Sequence, residues 1–254
     1  MMNIIVIIPA YNEEKTVGLV VKQIFQMFHV PCSMFHVLVI DDGSADKTAQ
    51  VAREAGATVF SHPINRGLGA ALATGIEGAL RLLYNAPQPP LKLRGGEGGV
   101  IVMLDADGQH NPAELARVIE PIVKGGAEVV IGSRFIKALK HKSIKALSKI
   151  PLSRHAANLC GNFFTWLLFG IWVSDSQSGF RAFSATAVSK LQLRTSTMEV
   201  SSEIIREIAR LKLRLVEVPI TVRYTEYSLS KATGQGFFRG LETLWKLIIL
   251  KFFR

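Results

Sequence analysis

Four unbroken apolar runs punctuate the first half of the chain: Ile4 to Ile8, Val37 to Ile40, Val100 to Leu104 and Val129 to Ile131. They do not alternate with polar residues and are rich in β-branched side chains, as strands buried on both faces are. Between them apolar residues recur at helical spacing: Val17, Val20, Val21, Ile24, Phe25 and Phe28; then Leu68, Leu72, Ile76, Leu80 and Leu83; then Leu115, Val118, Ile119 and Ile122. The spacing predicts helices starting near Glu13, Asn65 and Pro112. A shorter helix carrying Val51 and Ala52 starts at Ser44 and Asp46, and Thr58 to Ser61 reads as a short strand. Alternation of strand and helix predicts an α/β fold with a mostly parallel central sheet, helices on both faces and right-handed crossovers. Residues 85–99 hold three prolines and four glycines and read as a loop inserted before the central strand.

The polar residues that close these runs carry the candidate chemistry. Val100 to Leu104 ends in Asp105-A-D-G-Q-H-N-Pro112, so two carboxylates flank Ala106 at a strand's carboxyl end. Ligands of open α/β sheets bind at that edge, and side chains two apart along an extended backbone face the same way. Paired hard oxygen anions suit Mg²⁺ or Mn²⁺, ions that commonly accompany a diphosphate. An ordinary surface turn is the plainer alternative. The first strand delivers Pro9, Tyr11 and Glu13 to the same edge, and the second delivers Ile40, Asp41 and Asp42. For Pro9 and Ile40 strand packing competes with ligand contact; for Asp41 and Asp42 helix capping does.

Charge divides the chain. Residues 1–133 hold 10 Lys+Arg against 13 Asp+Glu, a balance of −3, whereas residues 134–254 hold 20 against 7, a balance of +13. Hydrophobic residues make up 48% of the composition, enough for a substantial core. Cys32 and Cys160 are the only cysteines, which excludes a disulfide framework, fits a reducing cytoplasmic setting, and leaves no zinc spacing. No secretory signal is read at the start of the chain. Gly67-L-G-Ala70 does not follow the first strand, so it is no dinucleotide fingerprint, and no glycine loop with Lys-Ser/Thr supports an ATPase. The basic balance lacks a helix-turn-helix or zinc-finger frame, so no nucleic-acid partner is expected. A nucleotidyltransferase would want a glycine-rich basic loop where Pro9-A-Y-N-E-Glu14 stands.

Lys137, Lys140, Lys142, Lys145, Lys149 and Arg154 form an acid-free basic stretch, followed by the apolar, aromatic run Ala156 to Val173. That run is too short and too often interrupted, at Asn158, Gly161 and Asn162, to span a bilayer. An interfacial helix with Trp166 and Trp172 at headgroup depth fits better, and a core helix is the alternative. The end of the chain repeats the theme, with Phe237, Leu241, Leu244, Trp245, Ile248 and Phe252 at helical spacing. The expected organisation is therefore an α/β domain over 1–235, with an interface segment at about 135–175, and an amphipathic helix over 236–254.

Ile4-I-V-I-I-P-A-Y-N-E-Glu14, Val39-I-D-D-G-S-A-D-K-Thr48, Asn65-R-G-L-G-A-Ala71, Leu104-D-A-D-G-Q-H-N-Pro112, Asp175-S-Q-S-G-F-Arg181 and Val216-E-V-P-Ile220 with Ser230-Lys231 together resemble family 2 glycosyltransferases. The branch they are most similar to is that of the dolichyl-phosphate mannose synthases. The resemblance implies a GT-A fold and inverting transfer of a sugar, GDP-mannose being the favoured donor, to a polyprenyl phosphate at the inner membrane face. A UDP-sugar and a hydroxyl acceptor are the alternative. It further implies that Pro9, Tyr11, Glu13, Ile40, Asp41, Asp42, Asp105 and Ala106 hold the nucleotide sugar. Asp105, Asp107 and Gln109 would hold Mg²⁺ or Mn²⁺. Arg134, Arg223 and Lys231 would contact phosphates, with Asp107 and Arg134 the residues on which catalysis depends. Asp175 is read as ordering its loop with Arg181, the alternative being a base for a hydroxyl acceptor. The members with C-terminal membrane helices differ from this chain, so peripheral attachment is expected.

Overall fold

A computed structural model describes residues 2–27, 35–84, 98–136 and 152–223. Phe28, Lys231, the basic residues 137–149 and the expected helix over 236–254 lie outside the described residues, as does the boundary at 235.

The apolar runs become the strands β1 Ile4–Ala10, β2 Phe35–Asp41, β4 Val100–Met103 and β5 Val129–Ser133, with β3 at Thr58–Ser61. The helices between them are α1 Val17–Met27, α2 Thr48–Glu54, α3 Leu68–Tyr84 and α4 Leu115–Val123, the last entered through a 3-10 turn at Pro112–Glu114. Helix α1 starts at Val17 rather than near Glu13. The Glu13 carbonyl accepts from the amides of Thr16 and Val17, and the turn before them holds Glu13 itself at the sheet edge. In the second half lie α5 Leu152–Phe169, β6 Arg181–Ser184, α6 Ala185–Val188, α7 Val200–Arg210 and β7 Leu215–Pro219.

The sheet runs β3-β2-β1-β4-β6-β5-β7. All neighbours are parallel except that β6 is antiparallel to both β4 and β5. The expected α/β architecture is thus present, with two strands, β6 and β7, that the apolar pattern did not announce. Strand β6 is four residues long and carries Arg181 and Ser184, yet every residue of it is buried. Alternate residues of β1 feed two cores: Ile4, Val6 and Ile8 pack with the α1 and α4 layer, Ile5 and Ile7 with the α3 and α7 layer. Burying both faces of a strand this way explains the unbroken runs.

Candidate active site

Parallel register sets the edge. Ala10 lies beside Asp41, Ile7 lies beside Met103, and the Leu104 amide donates to the Ile7 carbonyl, so the residues after β1, β2 and β4 emerge together. Beyond that edge the chain must turn, and its carboxylates supply the acceptors.

Asp42 is the most heavily engaged of them. Its Oδ1 accepts from His62 Nδ1 at 2.7 Å and the Arg66 amide at 2.9 Å, and its Oδ2 accepts from the Gly67 amide at 2.7 Å. His62 is steadied in turn by Thr74 Oγ1 at 2.9 Å. Asp42 therefore orders the approach to α3. Asp41 accepts from the Ser44 amide at 3.2 Å. Ile40 is fully buried in the core layer beneath α3, and Ala106 is buried in the opposite layer, so their backbones rather than their side chains reach the edge. Glu13 is held by Thr16 Oγ1 at 2.8 Å, while Tyr11 stands exposed above the edge. The glycines of Gly67-L-Gly69 admit a neighbouring loop. The Gly69 amide donates to the Ser196 carbonyl at 2.8 Å, and a Cβ on Gly69 would sit 1.9 Å from the Thr195 oxygen.

The two central carboxylates have different surroundings. Asp105 lies against the bare backbone of Gly179, whose hypothetical Cβ would fall 2.0 Å from Asp105 Oδ2, and His110 Nε2 stands 3.4 Å from that same oxygen. Burial pushes the Asp105 pKa up, but His110, Arg181 and Arg134 outweigh it and hold the carboxyl below its ordinary value. Asp107 is pushed up to about 6, by burial first and then by the charge of Asp105, against the pull of the Gln109 amide and His110. Gln109 Nε2 donates to Asp107 Oδ2 at 2.6 Å. Two carboxylates stand at one strand end, Asp105 raising the proton affinity of Asp107, with the side-chain amide of Gln109 beside them. Hard oxygen ligands of that kind fit Mg²⁺ or Mn²⁺. Asp107 opens onto a cleft of about 630 Å³ that Lys15, Thr16, His110, Asn111 and Arg223 also line. Arg223 reaches the cleft because its amide donates to the Gln109 carbonyl at 2.8 Å and Val222 bridges to His110.

On the far side β6 brings a second cluster. Arg134, the residue after β5, grips Asp175 with Nε at 2.7 Å, Nη2 at 2.6 Å and its amide at 3.1 Å. Asp175 is wholly buried. Arg181 instead donates to the Ser176 carbonyl at 2.7 Å and lends its charge to both Asp105 and Asp175. Burial lowers its pKa to about 10 despite those two anions. The Asp175 loop is thus ordered by both arginines, Arg134 being the direct partner.

His62, His110 and Gly179 carry no site role in the sequence reading, and Asn162 figures there only as an interruption of an apolar run. His110 stood within the quoted motif and Gly179 within D-S-Q-S-G-F-R, so a signal existed for those two, but only the fold shows what they touch.

The family model described as Glycosyl transferase family 2 matches residues 5–82 and 91–192. The chain is 34% identical to the UDP-N-acetylglucosamine–dolichyl-phosphate N-acetylglucosaminyltransferase of Methanococcus voltae, over 98% of this chain and 96% of that one. It is 30% identical to the polyprenol monophosphomannose synthase of Mycolicibacterium smegmatis, over 91% and 82%. Among solved structures, the glucosyl-3-phosphoglycerate synthase of Mycobacterium tuberculosis in complex with Mn²⁺, UDP and product superposes with a TM-score of 0.59 at 21% identity, covering 96% of this chain and 80% of that one.

Proposed function

The chain belongs to glycosyl transferase family 2 and has its GT-A fold, and from that premise we propose that it moves a sugar from a nucleotide donor to a polyprenyl phosphate, with a divalent ion, at a membrane surface. The observation that carries this reading is the convergence of the Asp105–Asp107 pair and two separate arginines, Arg134 and Arg223, on one sheet edge. Mg²⁺ or Mn²⁺ held by Asp105, Asp107 and Gln109 would supply positive charge against the departing diphosphate. The protein's own residues do the rest. Arg223 lines the cleft onto which Asp107 opens. Arg134 is fixed by a bidentate carboxylate, so its guanidinium is already in place when an anion arrives. An ionised phosphate needs no base to remove a proton, and Asp175, engaged by Arg134, is a poor candidate for one. Attack from the side opposite the diphosphate inverts the sugar's anomeric centre.

UDP-N-acetylglucosamine is the favoured donor, ahead of the GDP-mannose that the sequence resemblance suggests, because the relative named for it matches more of this chain at higher identity. GDP-mannose is the second reading, favoured by the relative named for mannose transfer. Membrane contact is supported by α5, whose outward face exposes Leu159, Phe163, Trp166 and Leu167 beside Trp172. Trp166 packs edge-on to Trp172 at 6.5 Å, an apolar patch of the kind that enters a headgroup layer. Among the described residues no helix is long and apolar enough to cross a membrane. The inner, cytoplasmic face is the side on which we place it, following a composition with only two cysteines.

Radiolabelled sugar transfer tests the reading. The purified protein is given UDP-N-acetylglucosamine or GDP-mannose, with polyprenyl phosphate or the unphosphorylated polyprenol, in vesicles. Label is expected in the phosphate lipid with the UDP-sugar. Label with GDP-mannose alone would select the second reading, and transfer to the free alcohol in preference to the phosphate would overturn the acceptor assignment.

A further inference from the structure

Helix α5 is inverted relative to an ordinary surface helix: Leu159, Phe163, Trp166 and Leu167 point outward while Asn162 and Thr165 are buried. Thr165 spends its hydroxyl within the helix, donating to the Gly161 carbonyl at 2.7 Å. Asn162 does not. Its Nδ2 donates to the Ser174 carbonyl at 2.8 Å, and its Oδ1 accepts from the Ser176 amide at 3.0 Å. One side-chain amide therefore holds the residues on either side of Asp175. Ser174 is anchored from the other direction as well, its amide and hydroxyl donating to Glu217 Oε1 at 2.9 and 2.7 Å and its hydroxyl lying 2.5 Å from Ser133 Oγ.

We propose that Asn162 is a positioning residue for Arg134: by bracketing Asp175 it aims both carboxylate oxygens at the guanidinium, and so ties the phosphate-binding arginine to α5. The proposal rests on the reading above that Arg134 meets a phosphate. No other side chain of similar size does this. Aspartate could still accept from the Ser176 amide but would lose the donor to Ser174 and set a second carboxylate beside Asp175. Leucine or alanine would strand two backbone groups that are buried here, and glutamine is a methylene too long. The same residue separates the exposed aromatic face of α5 from the anion site. A lipid surface that seats the outer face thereby fixes the helix from which Arg134 is aimed.

The test measures acceptor kinetics and donor binding separately, on the full chain, for Asn162→Ala, Asn162→Asp, Asp175→Asn, Arg134→Ala and the Asn162→Ala/Asp175→Asn double variant. Loss of a hydrogen-bonding partner that orients a ligand-binding group typically costs about 10–100-fold. We expect kcat/KM for polyprenyl phosphate to fall by that much in both Asn162→Ala and Asn162→Asp, while Mn²⁺·UDP binding by calorimetry stays within about twofold of wild type. The double variant should be no worse than Asp175→Asn alone, because both changes act on one contact. Unchanged acceptor kinetics in both Asn162 variants, full additivity in the double variant, or an equal loss of Mn²⁺·UDP binding would each overturn the proposal. Arg134→Ala with wild-type transfer would instead remove the reading of Arg134 and the proposal with it. An Asn162→Ala protein that does not fold leaves Asn162→Asp, with its retained acceptor, to decide.

Discussion

The two sides of the site are built by different means. On the donor side, β1, β2 and β4 are parallel strands whose apolar runs end in contiguous polar motifs, so the residues that meet in space lie within a few positions of a strand end. On the acceptor side, β6 enters antiparallel between β4 and β5, and the important pairs join residues far apart in sequence: Arg134 with Asp175, Ser174 with Glu217, Asn162 with Ser174 and Ser176. The donor side rests on hydrophobic packing beneath the strand ends, with Asp42 held in addition by His62, Arg66 and Gly67. The acceptor side is positioned by buried polar contacts, each of which leaves a stranded group when its partner is removed. A substitution should therefore disable the donor side only where it touches the carboxylates, whereas the acceptor side should be sensitive well behind the reacting atoms.

The largest effect is expected at Asp107. Asp107→Ala removes a carboxylate oxygen set that neither Gln109 nor Asp105 replaces, and transfer should fall by at least about 10²-fold, the scale on which loss of one charge-stabilising group is felt. Its thermal stability should be retained, since Asp107 stands partly exposed at a turn and contributes nothing to either core. Near-native turnover in this variant, or in wild type under excess EDTA, would sink the metal assignment.

Gly179→Ala should come next and would sharpen the contrast, because it alters the donor side from a residue belonging to the acceptor side. The added methyl claims the space of the Asp105 carboxylate, and the void beside it, lined by Pro9, Leu72, Arg181 and Ser201 among others, is only about 20 Å³. The carboxylate must swing outward. Donor KM is expected to rise about 10–100-fold with acceptor KM unchanged. In an Asp105→Ala background the same methyl meets no carboxylate, so the further loss should vanish; a persistent loss there would show that Gly179 acts elsewhere.

The same contrast explains what the sequence could convey. The elements β1 to β5 and the residues Asp41, Asp42, Asp105 and Asp107 were legible because hydrophobic periodicity and turn chemistry are local. Strand β6 was not: four residues with an arginine inside give no strand pattern, and that arginine is tolerated only because Asp105 and Asp175 compensate its burial. Asn162 looked like an interruption in an apolar helix and proves to be that helix's inward anchor. Arg181 holds the Asp175 loop through the Ser176 carbonyl, but the hydrogen-bonded partner of Asp175 itself is Arg134, a pairing across 41 positions that no spacing argument reaches. The helix expected from Glu13 starts later because Glu13 is needed at the edge.

The smallest expected effect is on stability against pH, and it isolates the donor side. Asp107, with an ordinary value of 3.8, is raised to about 6 in the folded protein, by burial and then by Asp105. Between those values the folded chain keeps a proton that the unfolded chain releases, so this carboxyl's contribution to stability is full below 3.8 and is lost as pH rises through about 6. Asp105 is shifted the other way, and its contribution is lost only as pH falls below 3.8, outside that window. Glu217, raised by burial and by Asp175, adds to the trend on the acceptor side. A cation competes with the proton on Asp107 but not with that on Glu217. Excess Mn²⁺ should therefore raise Tm more at pH 7 than at pH 5, the gap amounting to about 2–4 °C for each kcal/mol of linkage in a chain of this size. In Asp107→Asn the Mn²⁺ increment should shrink and lose its pH dependence, while the part of the trend due to Glu217 persists. An increment equal at both pH values in wild type would mean that the cation and the proton do not share Asp107, and would detach the metal from the carboxylate pair at the end of β4.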